Sequence, residues 1–184
     1  SDVCSSDLFH FLVCPPNKEV EFWVGWMSDM EDPIYVLRFE RNVSLLASHK
    51  PNLLIVPGRI SEGGHNWKRD WFPPLHETNL AQTIPIVYPG SCSNNFRFEW
   101  WDYSVFPEDV EWFAFSYGDV RFILLDSDYK DMNYPEGVTS RQTEWLDEQL
   151  NSPEWKNAAF RIVVCHQPPF SNYRRDADPF DGGN

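Results

Sequence analysis

Four short segments of this chain gather residue types able to hold ions. They are Ser28-Asp29-Met30-Glu31, Pro57-Gly58-Arg59-Ile60-Ser61, Pro89-Gly90-Ser91-Cys92-Ser93-Asn94-Asn95 and Cys165-His166-Gln167-Pro168-Pro169-Phe170. Carboxylates such as Asp29 and Glu31, amides such as Asn94 and imidazoles such as His166 are donors that divalent cations accept. The guanidinium of Arg59 does the opposite. It stays charged at ordinary pH and cannot ligate a metal, but its planar fork takes a phosphate or carboxylate by two hydrogen bonds. Cys92 is either a softer donor of the kind zinc accepts or a buried, inert thiol.

Each segment follows a run that reads as a β-strand. Residues 19–27 (EVEFWVGWM) are apolar and aromatic, bounded by Pro15-Pro16 and Ser28-Asp29. Residues 52–56 (NLLIV) and 84–88 (IPIVY) are short apolar runs, each closed by Pro-Gly. Between them, 33–49 places Val36, Leu37, Val43, Leu46 and Ala47 at helical spacing, with Pro33 suited to a first turn. Residues 67–79 read as a second helix, interrupted early by Pro73-Pro74. The order β-α-β-α-β with short connections predicts a parallel sheet covered by helices. In such folds ligands gather where strands end, which is where the four segments lie.

Residues 94–111 form an aromatic-rich insertion. Phe96, Phe98, Trp100, Trp101, Tyr103 and Phe106, with Trp112 after them, are expected to pack beneath a long loop near the sheet edge. Residues 111–127 read as two strands joined by Tyr117-Gly118-Asp119, a hairpin turn. A helix is predicted over 139–150, capped by Thr139 or Ser140, with Trp145, Leu146 and Leu150 on its apolar side. The strand 160–165 then runs directly into His166.

Composition narrows the possibilities. In 184 residues, 28 Asp and Glu outweigh 15 Lys and Arg, a formal net charge of -13. An acidic surface of that size repels a phosphate backbone, so nucleic-acid binding through a basic face is disfavoured. No apolar run approaches the roughly 20 residues needed to span a bilayer, and the chain reads as soluble. The four cysteines (Cys4, Cys14, Cys92, Cys165) show neither CxxC pairing nor regular spacing, so no zinc ribbon or disulfide framework is expected. Ser1 to Leu8 reads as the translation of a sequencing adapter, and residues 9–184 as an incomplete domain whose C-terminal part is lacking.

Several stretches in order resemble the calcineurin-like metallophosphoesterases, in particular the bacterial branch similar to purple acid phosphatases. The likeness runs over about residues 19–173. Its most specific piece is WFAFSYGDVRFILLDS at 112–127, similar to that branch's WYSFDYGNVHFIVLDS hairpin. Gln142-Thr143-Glu144-Trp145-Leu146 resembles the family's QxxWL helix, and His166-Gln167-Pro168-Pro169-Phe170 its His-x-Pro-Pro-Phe loop. Lys50 to Gly58 (KPNLLIVPG) falls where the family has PDLVLHVGD, and residues 67–74 where it has a Trp-rich helix. The resemblance implies a β-sandwich flanked by helices, a four-layer α/β/β/α fold truncated at its C-terminus. It also implies two divalent ions, Fe, Mn or Zn, that polarise a phosphoryl group and lower the pKa of an attacking water.

Carried onto this chain, the resemblance makes Asp29 and His166 metal ligands, with Glu31 and Asn94 as weaker ones. Glu31 stands where the family has His or Gln. Arg59 stands where the metal-bridging Asp belongs, and no Asp lies between Asp32 and Asp70. No His lies between His76 and His166, so the imidazole the family places near the scissile phosphate has no counterpart. The further Gly-His-x-His motif has no counterpart before Asn184. Two functions follow. One is a hydrolase of phosphate mono- or diesters, with a phosphorylated small molecule as partner and part of the dinuclear site lost. The other is an inactive phosphatase-like module that binds phosphate or another anion through Arg59. No catalytic residue is named, and the compartment is left open, though the family is often exported.

Overall fold

The computed structural model describes residues 21–28, 33–58, 71–88, 112–127 and 138–166, the side chains of 33–38 and 138–140 excepted. In chain order these form β1 (Val24–Trp26), α1 (Pro33–Ser48), β2 (Leu53–Ile55), α2 (Phe72–Glu77), α3 (Leu80–Thr83), β3 (Ile86–Val87), β4 (Phe113–Tyr117), β5 (Val120–Leu124), α4 (Val138–Asn151), α5 (Pro153–Asn157) and β6 (Phe160–Val164).

The predicted parallel sheet is present, in the order β1-β2-β3, with Gly25 opposite Leu54 and Leu54 opposite Ile86. Its strands are shorter than the apolar runs, but hydrogen bonds continue past both ends. Asn52 N–H donates to the Trp23 carbonyl at 2.8 Å, Met27 N–H to that of Ile55 at 3.1 Å and Val56 N–H to that of Val87 at 2.9 Å. The central strand β2 is apolar throughout because both its faces are covered. Leu53 and Ile55 point into the space between the sheets, while Leu54 and Val56 point at the helices, and all four have no exposed surface.

Helix α1 lays Phe39, Val43, Leu46 and Ala47 on the outer face of this sheet. It stops where Lys50 takes a left-handed conformation (φ 50), followed by Pro51, a common helix ending. Trp71 is buried at the start of α2 and stacks on Phe39 with centroids 4.9 Å apart. Of the predicted helix over 67–79, residues 67–70 lie outside the described residues, and the described part holds Pro73 and Pro74 at its start. They fall in its first turn, where an imino nitrogen forfeits no intrahelical bond. Asn79, at φ 60, then separates α2 from α3.

The second sheet has the order β4-β5-β6, with β4 antiparallel to β5 and β6 parallel to it. The predicted hairpin turns on Gly118 and Asp119. Gly118 has φ 56 and Asp119 is not in the left-handed region, the pattern of a type II′ turn. Tyr117, Val120, Phe122, Leu124 and Val164 meet Leu53 and Ile55 in a closed core between the sheets. Burying each large apolar side chain there stabilises the fold by roughly 1.5–3 kcal/mol.

Helix α4 covers the outer face of the second sheet. Arg121 on β5 donates to Gln149 Oε1 at 2.9 Å and to Ser116 Oγ at 3.2 Å. The helix begins at Val138, so Thr139 and Ser140 lie inside its first turn and not at its cap. Trp145 and Leu146 are half-buried, but Leu150 is exposed, and the residue most buried on this helix is polar Gln142. The four layers are therefore helices, parallel sheet, mixed sheet and helix, the predicted α/β/β/α sandwich.

Candidate functional site

The direction of the strands decides which edge of the sandwich can collect functional groups. Phe22, just before β1, packs edge-on to Tyr117 with centroids 4.9 Å apart, and the Tyr117 hydroxyl lies 3.5 Å from the Asn52 carbonyl. The starts of β1 and β2 thus sit over the β4–β5 turn, which is the start of β5. Since β1, β2 and β3 are parallel, as are β5 and β6, all five strands end at the opposite edge. At that edge the described chain reaches Ser28, Gly58, Tyr88, Ser127 and His166.

His166 is half-buried, two residues past the end of β6. Its neighbour across the sheet is set by register. Leu124 is opposite Val164, and Leu125 N–H donates to the Val164 carbonyl at 2.8 Å, so the pairing continues beyond both strands. Asp126 follows Leu125 directly, and His166 lies two residues beyond Val164. Asp126 is 2% exposed, a depth that carboxylates seldom reach without compensating interactions. Its backbone is held by α4: Asp126 N–H donates to Gln142 Oε1 at 2.8 Å, and Gln142 Nε2 donates to the Asp126 carbonyl at 2.9 Å.

Asp29, Glu31, Arg59, Cys92 and Asn94 lie outside the described residues, as do residues 94–111 of the aromatic-rich insertion. In sequence, Asp29 directly follows Ser28 and Arg59 directly follows Gly58, the last described residues after β1 and β2. Trp112, at the end of the insertion, is 5% exposed, in keeping with a packing role. Among the described residues no group of three or more His, Cys, Asp or Glu could hold a metal ion. The residues that sequence reasoning missed are Asp126 and Gln142. Gln142 was visible only as part of the QxxWL resemblance, and Asp126 as part of the hairpin.

Two clefts flank the second sheet. One of about 290 Å³, between the β4–β5 turn and α5, is lined by Gly118, Asp119, Pro153 and Glu154. Another of about 620 Å³ runs between β4 and α4, lined by Trp112, Arg121, Arg141, Glu144, Trp145 and Glu148. Neither contains a residue singled out for chemistry. No described helix is long and apolar enough to cross a membrane.

No protein-family model and no curated protein sequence matches the chain. Solved structures do. Purple acid phosphatase PPD1 from seeds of yellow lupin (Lupinus luteus) superposes with a TM-score of 0.62 at 12% identity, over 86% of this chain and 33% of that one. A dimetal phosphatase from Danio rerio superposes with a TM-score of 0.52 at 14% identity, over 81% of this chain and 70% of that one. The chain therefore has the fold of these phosphatases, and spans about a third of the length of the lupin protein.

Proposed function

We propose that this chain belongs to a metal-dependent phosphoesterase that acts on phosphate mono- or diesters with a reduced metal site. The observation that carries this reading is the placement of His166. His166 lies two residues past β6, at the edge where β1, β2, β3, β5 and β6 all end, in a chain with the fold of two phosphatases, and this supports a ligand role for its imidazole.

The donor set fits one part of a metal site and not the other. Asp29 and His166, with Glu31 and Asn94 in support, offer the carboxylate, imidazole and amide oxygen that a divalent ion accepts. Arg59 offers no lone pair and would repel two cations at the point where they share a ligand. A bound ion would polarise a phosphoryl oxygen and acidify a water. Arg59 fits the remaining task, since its fork binds two oxygens of the same phosphate and neutralises charge without a metal. The bacterial branch resembling purple acid phosphatases remains the sequence-level kinship proposed for the chain.

The test is hydrolysis of p-nitrophenyl phosphate and bis(p-nitrophenyl) phosphate by the full chain with Mn²⁺, with chelator, and in His166→Ala. Turnover that needs Mn²⁺ and is lost in His166→Ala is the expected result. Absence of turnover, together with phosphate binding that survives chelator and vanishes in Arg59→Ala, would favour a metal-free anion-binding module. That second reading rests on the sequence position of Arg59, directly after the buried Gly58, three residues past the end of β2.

A further inference from the structure

We infer that Gln142 is a positioning residue for the His166 site, its side-chain amide bonding both backbone groups of Asp126 as a strand neighbour would. Along an extended strand, N–H and C=O of one residue point to one side and those of the next residue to the other. Leu125 turns its N–H towards β6, bonding the Val164 carbonyl at 2.8 Å. Asp126 must therefore turn both its backbone groups the other way, towards β4. Among the described residues the paired ladder with β4 stops at Phe113 opposite Leu124.

The Gln142 amide meets both groups. It accepts from Asp126 N–H at 2.8 Å and donates to the Asp126 carbonyl at 2.9 Å, the exchange of two bonds that a paired strand residue would make. Gln142 is itself only 9% exposed, so both bonds are shielded from competing water. The effect is to anchor the chain just past the end of β5 to α4. Leu125, next to Asp126, in turn bonds the Val164 carbonyl, two residues before His166. A buried polar helix residue is costly unless its bonds are made, and here each one is spent on the strand end beside the candidate site.

This inference builds on the proposed metal site, and its test separates the two. Mn²⁺ affinity and thermal stability are measured for the full-length chain, for Gln142→Ala, for Gln142→Glu and for Leu146→Ala. Gln142→Glu keeps the acceptor but loses the donor, and serves if the alanine variant fails to fold. Leu146→Ala loosens the same helix without touching Asp126. The expected result is a fall in Mn²⁺ affinity of about tenfold or more in both Gln142 variants, the scale on which supporting groups act on metal ligands. Leu146→Ala keeps the unaltered affinity. Unchanged affinity in the Gln142 variants, or an equal fall in Leu146→Ala, overturns the inference. If the unaltered protein binds no Mn²⁺, the metal reading fails and the placement is read directly, from the ¹⁵N resonances of the His166 ring identified with His166→Gln. Movement of those resonances in Gln142→Glu but not in Leu146→Ala upholds the inference, and their constancy overturns it.

Discussion

Phe115 and Phe122 face each other across the β4–β5 hairpin, with ring centroids 4.9 Å apart and planes only 10° from parallel. Phe122 is fully buried between the two sheets, where it meets Leu53 and Ile55 of β2. Phe122→Ala removes that stack and leaves a cavity in the layer that joins the sheets, so it is expected to destabilise the fold by about 3–5 kcal/mol. Urea denaturation followed by circular dichroism measures it, and a loss under about 1 kcal/mol would mean that the core collapses around the gap.

Gly118 opens the hairpin turn with φ 56, and a Cβ there would meet Phe22 Cε1 at 3.3 Å. Gly118→Ala is expected to cost about 1–2 kcal/mol from the left-handed backbone alone. Gly118→Asn should cost less, because an asparagine tolerates that conformation. Comparing the two midpoints in urea distinguishes backbone strain from crowding against Phe22, since crowding would make asparagine the worse substitute.

Ser152 caps α5 by accepting from Trp155 N–H at 3.2 Å. Ser152→Ala should lower stability by about 0.5–2 kcal/mol, measured by thermal melting. Because the cap lies at the edge away from His166, Mn²⁺ affinity should be unaffected, and a fall in affinity would show that the two edges are coupled.

Arg59 is expected to hold the phosphate, so Arg59→Ala should weaken inorganic phosphate binding by tenfold or more, roughly the 1.5–3 kcal/mol of a charge-assisted hydrogen bond. Arg59→Lys should recover only part of it, because an ammonium is a point charge without the planar fork. Isothermal titration with phosphate is the check, and equal binding by Arg59→Ala would remove this residue from the site.

The parallel sheet and the hairpin were readable from sequence because their signals are local. Apolar runs closed by Pro-Gly gave β2 and β3, and Gly118 between two apolar runs gave the turn. Pro73-Pro74 sit in the first turn of α2, where a proline forfeits no intrahelical bond, just after Trp71, which packs on Phe39. Gln142 was unreadable as a buried residue for a different reason. On a helix it looks like a solvent-facing side chain, and its burial depends on α4 meeting Asp126 just past the end of β5, a tertiary contact that no local pattern records. His166 was legible because it follows a strand directly. Asp126 was not, since its burial depends on packing against a helix distant in sequence.

The most direct test of the account is the metal content of the chain, dialysed in turn against manganese, iron and zinc, beside His166→Ala and Arg59→Asp. The account predicts about one ion per chain, lost in His166→Ala, because Arg59 excludes a second ion from a shared ligand. Arg59→Asp, by restoring a bridging carboxylate, should raise the content towards two. Two ions in the unaltered protein would contradict the role given to Arg59, and none in any variant would contradict the metal site itself.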